Sequence, residues 1–193
     1  MAVLMTAEVP GATEEQYRQI NDALGITPDA PPDGLIVHMA ANTGSGIRVV
    51  DVWESEQAFN TFIQNAMPTF EQVGIPPFQP EMYPVHNMFE GAGTQPNVML
   101  IADLPAWSPD GYDSMTSGMD AHADNGARHP SSVHVAAVKD GGLFVVDLWD
   151  APESFGRFAE EQMPAGAAEE LGDFEPQFLP VVNVIRGRAR VSA

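Results

Sequence analysis

The chain contains no cysteine among its 193 residues. Disulfides, thiolate metal sites and a cysteine nucleophile are therefore excluded. Basic residues are scarce, with 8 Lys and Arg against 27 Asp and Glu, for a formal net charge of −19. So acidic a surface repels phosphate backbones and anionic head groups, so neither nucleic acid nor a membrane is an expected partner; solubility is the simplest meaning of the charge. The one basic cluster, Arg186, Arg188 and Arg190, reads as a solvated tail. No apolar run reaches membrane-spanning length, and Met1–Glu8 lacks the basic start and long apolar core of a signal peptide, so the cytoplasm is the expected location. There is no Gly-rich phosphate loop (Gly91-Ala92-Gly93 reads as linker) and no HxxxH or HExxH spacing, so no nucleotide or metal site is expected.

What the chain does contain is a repeat. Val37-His38-Met39-Ala40-Ala41, a polar break, Ile47-Arg48-Val49-Val50-Asp51-Val52-Trp53, then Phe59, Phe62 and Met67-Pro68 recur 96 residues later. The second copy reads Val133-His134-Val135-Ala136-Ala137, Leu143-Phe144-Val145-Val146-Asp147-Leu148-Trp149, Phe155, Phe158 and Met163-Pro164. Thirteen of the 32 positions are identical, where unrelated sequences would share about two. A duplicated unit follows, with repeats at 1–92 and 96–193 and a short linker at Gly91–Pro96. Each repeat is of a size that can fold.

In the first repeat Val3–Glu8 reads as a strand and Thr13–Leu24 as a helix, with Thr13 and Gln16 at capping-box spacing and Gly25 as its stop. A proline-rich loop at 27–34 leads to strands at Leu35–Ala41 and Ile47–Trp53. Ser55 can cap a second helix whose buried stripe is Ala58, Phe59, Phe62, Ile63 and Ala66. Thr69–Pro80 reads as mixed, with at most a helical turn, and Met82–Phe89 as the last strand. The second repeat follows the same plan. Gly111 and Gly118 weaken its first helix, Asp150 and Glu153 stand at capping-box spacing, and Phe174–Ile185 aligns with Phe78–Phe89. The order is βαββαβ, the ferredoxin-like split unit. Its four-stranded sheet carries helices on one face and needs cover on the other. The expected fold class is α+β, two tandem ferredoxin-like units forming an intramolecular dimeric α+β barrel with a central cavity. Pairing of whole chains into a homo-oligomer is a further expectation.

Turn chemistry fixes a register. Asp140-Gly141 is a two-residue type I′ signal and Gly44-Ser45 suits a type II′ turn. Two-residue loops set Thr43 against Gly46 and Lys139 against Gly142. Counting back, His38 falls opposite Asp51 and His134 opposite Asp147, with Ile36 facing Trp53 and Ser132 facing Trp149. Alternation along strands then puts His38, Asp51 and Trp53 on one face, and His134, Asp147 and Trp149 on its equivalent. Opposed residues have Cβ atoms roughly 4.5–5.5 Å apart, near hydrogen-bond reach for His and Asp. A neighbouring carboxylate fixes the imidazole tautomer and stabilises imidazolium, which suits a general base. The same pair can equally satisfy two half-buried polar groups. Facing the central cavity the set is a candidate site; facing the helices it is core. Trp53 and Trp149 are core residues or walls that stack on a planar ligand. Asn87 and Asn183 sit mid-strand, a poor place for Asn, and either bond across the barrel or donate to a substrate oxygen. Tyr17 and Tyr112 read as helix-face packing, and His86 and His122, which have no counterparts, as surface or loop residues.

At Trp53-Glu54-Ser55-Glu56-Gln57-Ala58-Phe59 the sequence resembles the antibiotic biosynthesis monooxygenase-like branch of the dimeric α+β barrel superfamily. A strand ending Trp-Glu-Ser, with Phe four residues after the Ser, is a familiar run there. The resemblance implies one of several activities: oxidation of phenolic or anthrone-type aromatics by O2 without metal or flavin, haem degradation, small-molecule binding, or isomerisation. Haem-degrading relatives carry an iron-ligating His about ten residues after the Trp. Ile63 and Ala159 stand there, so no haem is expected. Only Trp53 and Trp149 carry over by motif. The leading expectation is cofactor-independent oxidation of a small electron-rich aromatic, a hydroquinone or anthrone. His38 or His134 acts as base, Asp51 or Asp147 supports it, Trp53 or Trp149 orients the ring, and Asn87 or Asn183 holds an oxygen. The alternatives are a non-catalytic binder of an apolar molecule, an isomerase or cyclase using the same cavity, or a chain in which one repeat is a structural half.

Overall fold

The computed structural model describes residues 1–119, 122, 124–163 and 175–189. Pro164, Phe174 and Arg190, which enter the sequence reading above, lie outside the described residues. Among the described residues the order is β1 (Val3–Pro10), α1 (Glu14–Leu24), β2 (Leu35–Asn42), β3 (Gly46–Trp53), α2 (Glu56–Val73), β4 (Glu81–Phe89), β5 (Val98–Leu104), α3 (Pro109–Thr116), β6 (Val133–Lys139), β7 (Gly142–Trp149), α4 (Pro152–Gln162) and β8 (Gln177–Arg186). Their ladders are all antiparallel, so the fold is α+β. No helix of the described residues is long and apolar enough to cross a membrane.

The chain divides into two compact units, Met1–Pro84 with Val181–Ala193, and Val85–Pro180. These packing boundaries fall inside β4 and β8, whereas the repeat in the sequence ends after each of them. Each of the two strands serves two ladders in succession. Glu81–Pro84 pair with β1 and Val85–Phe89 with β6; Gln177–Pro180 pair with β5 and Val181–Arg186 with β2.

In the first unit β1, β2 and β3 form the centre of the sheet, with part of β4 and part of β8 at its sides. Thr13 and Gln16 make the capping box of α1, and Gly25 closes it at φ 67. Ser55 Oγ caps α2 by accepting from the Ala58 N–H. That helix does not end near Pro68, as the proline suggests, but runs on to Val73. Proline forfeits one helical hydrogen bond. The extra turn is secured by Phe70 against Phe78 (centroids 6.0 Å) and by the Gly74 N–H closing on the Phe70 and Glu71 carbonyls. The core joins Leu35, Trp53, Phe59 and Ile185, each of them buried. Burying such side chains contributes roughly 1.5–3 kcal/mol apiece. At the hairpin, Thr43 N–H donates to the Gly46 carbonyl at 3.0 Å, and Gly44 takes φ 80. One detail of the register differs: Leu35, not Ile36, opposes Trp53, because β2 bulges between Leu35 and Val37.

The second unit repeats this plan around β5, β6 and β7. Asp140 and Gly141 take φ 51 and φ 84, as a type I′ turn requires. Its first helix is shorter, 8 residues in α3 against 11 in α1. Asp150 does not form a capping box. The chain enters α4 one residue later, at Ala151 and Pro152, so Asp150 Oδ1 accepts from the Ala151 N–H instead.

Candidate functional site

In the first unit the ladder pairs His38 with Asp51. The face that bears them carries α1 and α2: Tyr17 of α1 stacks on His38, and Phe59 and Phe62 of α2 lie against Trp53. The set therefore faces the helices, the side that the sequence reading assigns to core. Space nevertheless remains there. A cavity of ≈ 110 Å³ lies between sheet and helices, with Tyr17, His38, Asp51 and Trp53 on its wall among mostly apolar side chains.

Four side chains form one hydrogen-bonded row. Asn183 Nδ2 donates to Tyr17 Oη at 3.0 Å, Tyr17 Oη lies 2.7 Å from His38 Nε2, and His38 Nδ1 lies 2.6 Å from Asp51 Oδ1. Trp53 Nε1 donates to the other oxygen, Asp51 Oδ2, at 3.3 Å. One proton assignment satisfies every member. A carboxylate only accepts, so His38 carries its proton on Nδ1. Nε2 then accepts the tyrosine proton, and the tyrosine oxygen accepts from the amide. Burial raises the Tyr17 pKa, so the hydroxyl stays protonated and free to donate.

The second unit builds the same row from the equivalent residues. Asn87 Nδ2 donates to Tyr112 Oη at 2.9 Å, Tyr112 Oη is 2.8 Å from His134 Nε2, and His134 Nδ1 is 2.7 Å from Asp147 Oδ1. Burial pushes the Tyr112 pKa far up. The surroundings differ. The cavity is smaller, ≈ 70 Å³, and His122 and His129 join its wall. Phe89 stacks on His134 with centroids 4.7 Å apart, at the place where the first unit has Ile185 opposite His38. Trp149 packs on His129, Phe155 and Phe158 rather than on the cavity wall, and its Nε1 has no partner among the described residues.

Two bulges position the asparagines. β4 shifts register between Val85 and Asn87, and β8 does so between Val181 and Asn183. A bulge re-aims the following side chain, and here each amide meets a tyrosine hydroxyl rather than standing free on the cavity wall. Tyr17 and Tyr112 are thus members of the site, not merely packing residues. Their equivalence in the two repeats was the available signal. His122 lines a cavity instead of lying on the surface, while His86 is half-exposed and pairs with Asp113 at 2.8 Å. His129 carried no sequence signal; it enters the site through the fold of the 124–132 segment. Among the described residues no cluster of three or more His, Asp or Glu is arranged to hold a metal ion.

No family model and no curated protein matches this sequence. Solved structures do share its fold. A candidate monooxygenase from Lactobacillus acidophilus aligns over 96% of both chains with a TM-score of 0.69 and 9% identity. A candidate monooxygenase from Fusobacterium nucleatum covers 96% of this chain and 94% of its own, with TM-score 0.61 and 9% identity. A chlorite dismutase variant from Candidatus Nitrospira defluvii covers 93% and 90%, with TM-score 0.50 and 10% identity. These likenesses extend along nearly the whole chain and show a shared α+β fold.

Proposed function

We propose that the chain is a tandem relative of the antibiotic biosynthesis monooxygenase-like proteins and oxidises a one-ring, electron-rich phenol of the hydroquinone type with O2. The observation that carries this reading is the Asn183–Tyr17–His38–Asp51 row at the polar end of an otherwise apolar cavity. Size narrows the substrate. An apolar cavity of about 150 Å³ holds benzene, so ≈ 110 Å³ limits the substrate to a single ring, which enters with some widening of the wall. A three-ring anthrone needs α1 or the 27–34 loop to move outward.

The substrate hydroxyl sits against Tyr17 Oη. As that oxygen takes the substrate proton, the tyrosine's own proton passes to His38 Nε2, and Asp51 holds the resulting imidazolium. Tyr17 is neutral before and after the step, as its raised pKa requires. The substrate anion gives one electron to O2, then a second with loss of the other hydroxyl proton. Both protons leave on the reduced oxygen, so hydroquinone and O2 become quinone and H2O2. Trp53 fixes Asp51 through Nε1 and walls the ring. Asn183 fixes the tyrosine hydroxyl, and the chain's contribution is orientation and exclusion of water.

The test is oxygen uptake by metal-stripped protein over a panel of hydroquinones, with an anaerobic control. The expected result is one O2 consumed per quinone, reduced at least 100-fold in His38→Ala combined with His134→Ala, the low end for loss of a general base. Normal uptake by the double variant refutes the role of the row. Product formed without oxygen points instead to acid–base isomerisation in the same cavity.

A further inference from the structure

The two cavities share a hydrogen-bonded row but differ on the opposite wall. In the first unit His38 is the one imidazole lining the cavity among the described residues. In the second, His122, His129 and His134 all line it, with ring centroids 5.3–5.7 Å apart. His134 is fully engaged, through Nδ1 with Asp147 and through Nε2 with Tyr112. His129 is not. Its ring is 1% exposed, clamped between Phe158 (centroids 4.5 Å) and Phe89 (5.1 Å). Its Nδ1 accepts from the Ser131 N–H at 3.3 Å and lies 2.8 Å from Ser131 Oγ. A nitrogen that accepts from an amide carries a lone pair, so the proton of the neutral ring is on Nε2. Among the described residues that Nε2–H has no acceptor. Buried donors are nearly always paired, and one left open on a cavity wall marks the place of an acceptor.

We propose that the second unit's cavity is a separate binding site for a neutral, carbonyl-bearing single ring, an aryl ketone or quinone, whose oxygen accepts from His129 Nε2–H.

The remaining features select for that chemistry. Asp147 on the wall disfavours a carboxylate ligand. Burial holds His122 and His129 down to about 4, so near neutral pH neither supplies a counter-charge. The volume of ≈ 70 Å³ is about half of what holds benzene, so a single ring enters only as the wall side chains move aside. Met115, Met119 and Met163 offer polarizable, adaptable contact to a ring. The cavity shares Thr116, Met119 and His122 with a surface groove that also involves Asn87 and Asn125, which gives a polar approach to it. A metal ion is the weaker occupant, because the engaged nitrogens of His134 and His129 leave no converging set of lone pairs. The proposal does not rest on oxidation in the first unit, since binding alone is read.

The test is a 19F NMR titration of the full chain with 4-fluoroacetophenone and, as its apolar counterpart, 4-fluoroethylbenzene. The expected result is a preference of about five-fold for the ketone, the worth of one net hydrogen bond. His129→Phe reduces the preference to one, and His129→Gln, which keeps a donor, restores part of it. Should His129→Phe not fold, the imidazole 1H–15N correlations of the unsubstituted protein decide: the His129 Nε2–H must shift with the ketone and stay with the hydrocarbon. Equal affinity for both probes, a preference that survives His129→Phe, or a His129 signal indifferent to the ketone each overturns the proposal. None of these outcomes bears on oxygen uptake.

Discussion

Asp51 and Asp147 occupy the same place in their units, yet replacing each by Asn has different consequences. Asp51 is 4% exposed and receives two donors, His38 Nδ1–H on one oxygen and Trp53 Nε1–H on the other. An asparagine of the same shape has one accepting oxygen and one donating nitrogen. Whichever way the amide turns, one of the two buried N–H groups faces another donor. Leaving a buried donor unsatisfied costs about 1–3 kcal/mol. Among the described residues Asp147 receives His134 alone, and Trp149 Nε1 is without a partner. Asn at 147 can turn its oxygen to His134 and its nitrogen to the cavity, so that specific penalty does not arise. Both variants lose a charged acceptor, and this common loss cancels in the comparison. Asp51→Asn is therefore expected to be the less stable by about 1–3 kcal/mol, a difference in Tm of roughly 2–12 °C for a chain of this size. Calorimetry and urea denaturation of the two variants side by side measure it. Equal destabilisation, or a larger effect of Asp147→Asn, would show that the Trp53–Asp51 bond has no energetic weight and that the two rows are equivalent.

Other perturbations follow from the same geometry. Tyr17→Phe strands His38 Nε2 and Asn183 Nδ2, so hydroquinone-dependent oxygen uptake by the first unit is expected to fall by 100-fold or more, with a loss of about 1–2 kcal/mol in urea unfolding. The pKa values of His122 and His129, lowered from 6.5 to about 4, make stability pH-dependent. The unfolded chain takes up these protons first, so the contribution is complete above about pH 6.5 and is lost as pH falls toward 4. His129 alone gives a slope of about 1.4 kcal/mol per pH unit in that window, and His129→Phe is expected to flatten the curve of urea midpoint against pH. Gly126 takes φ 74, and a Cβ there would stand 2.0 Å from the Phe89 ring. Gly126→Ala is expected to cost at least about 2 kcal/mol, from backbone strain and the displaced ring, and to shift the His134 imidazole resonances as Phe89 leaves it.

The parts of the site that were legible in the sequence are those fixed by short-range rules. Asp140-Gly141 and Gly44-Ser45 dictate two-residue turns, and a two-residue turn leaves one register in which His38 meets Asp51 and His134 meets Asp147. Both pairings lie close to their turns, so the Leu35–Val37 bulge farther along β2 misplaces Ile36 without disturbing them. The tyrosines were not legible because their role depends on how a helix lies over a sheet. A Tyr on an apolar helix face has the same pattern whether its hydroxyl meets a histidine or a solvent molecule. The asparagines were visible as oddities, but their partners depend on bulges that no local rule announces. Which sheet face carries the site was also undetermined, because alternation assigns residues to a common face without saying what covers that face.

The division of β4 and β8 between ladders gives the row a further property. Asn183 follows the boundary at Pro180, so the far part of β8 completes the row in the first unit. Asn87 follows the boundary at Pro84, so the far part of β4 completes the row in the second. The row of the first unit therefore closes only when β8 has paired with β2, and that of the second when β4 has paired with β6. Asn183→Ala removes one of the partners of Tyr17 Oη, which His38 Nε2 still holds, and leaves Asn87 and Tyr112 untouched. The pairing of β8 with β2 and of β4 with β6 thus sets the position of the two asparagines, a condition that helix packing alone does not impose.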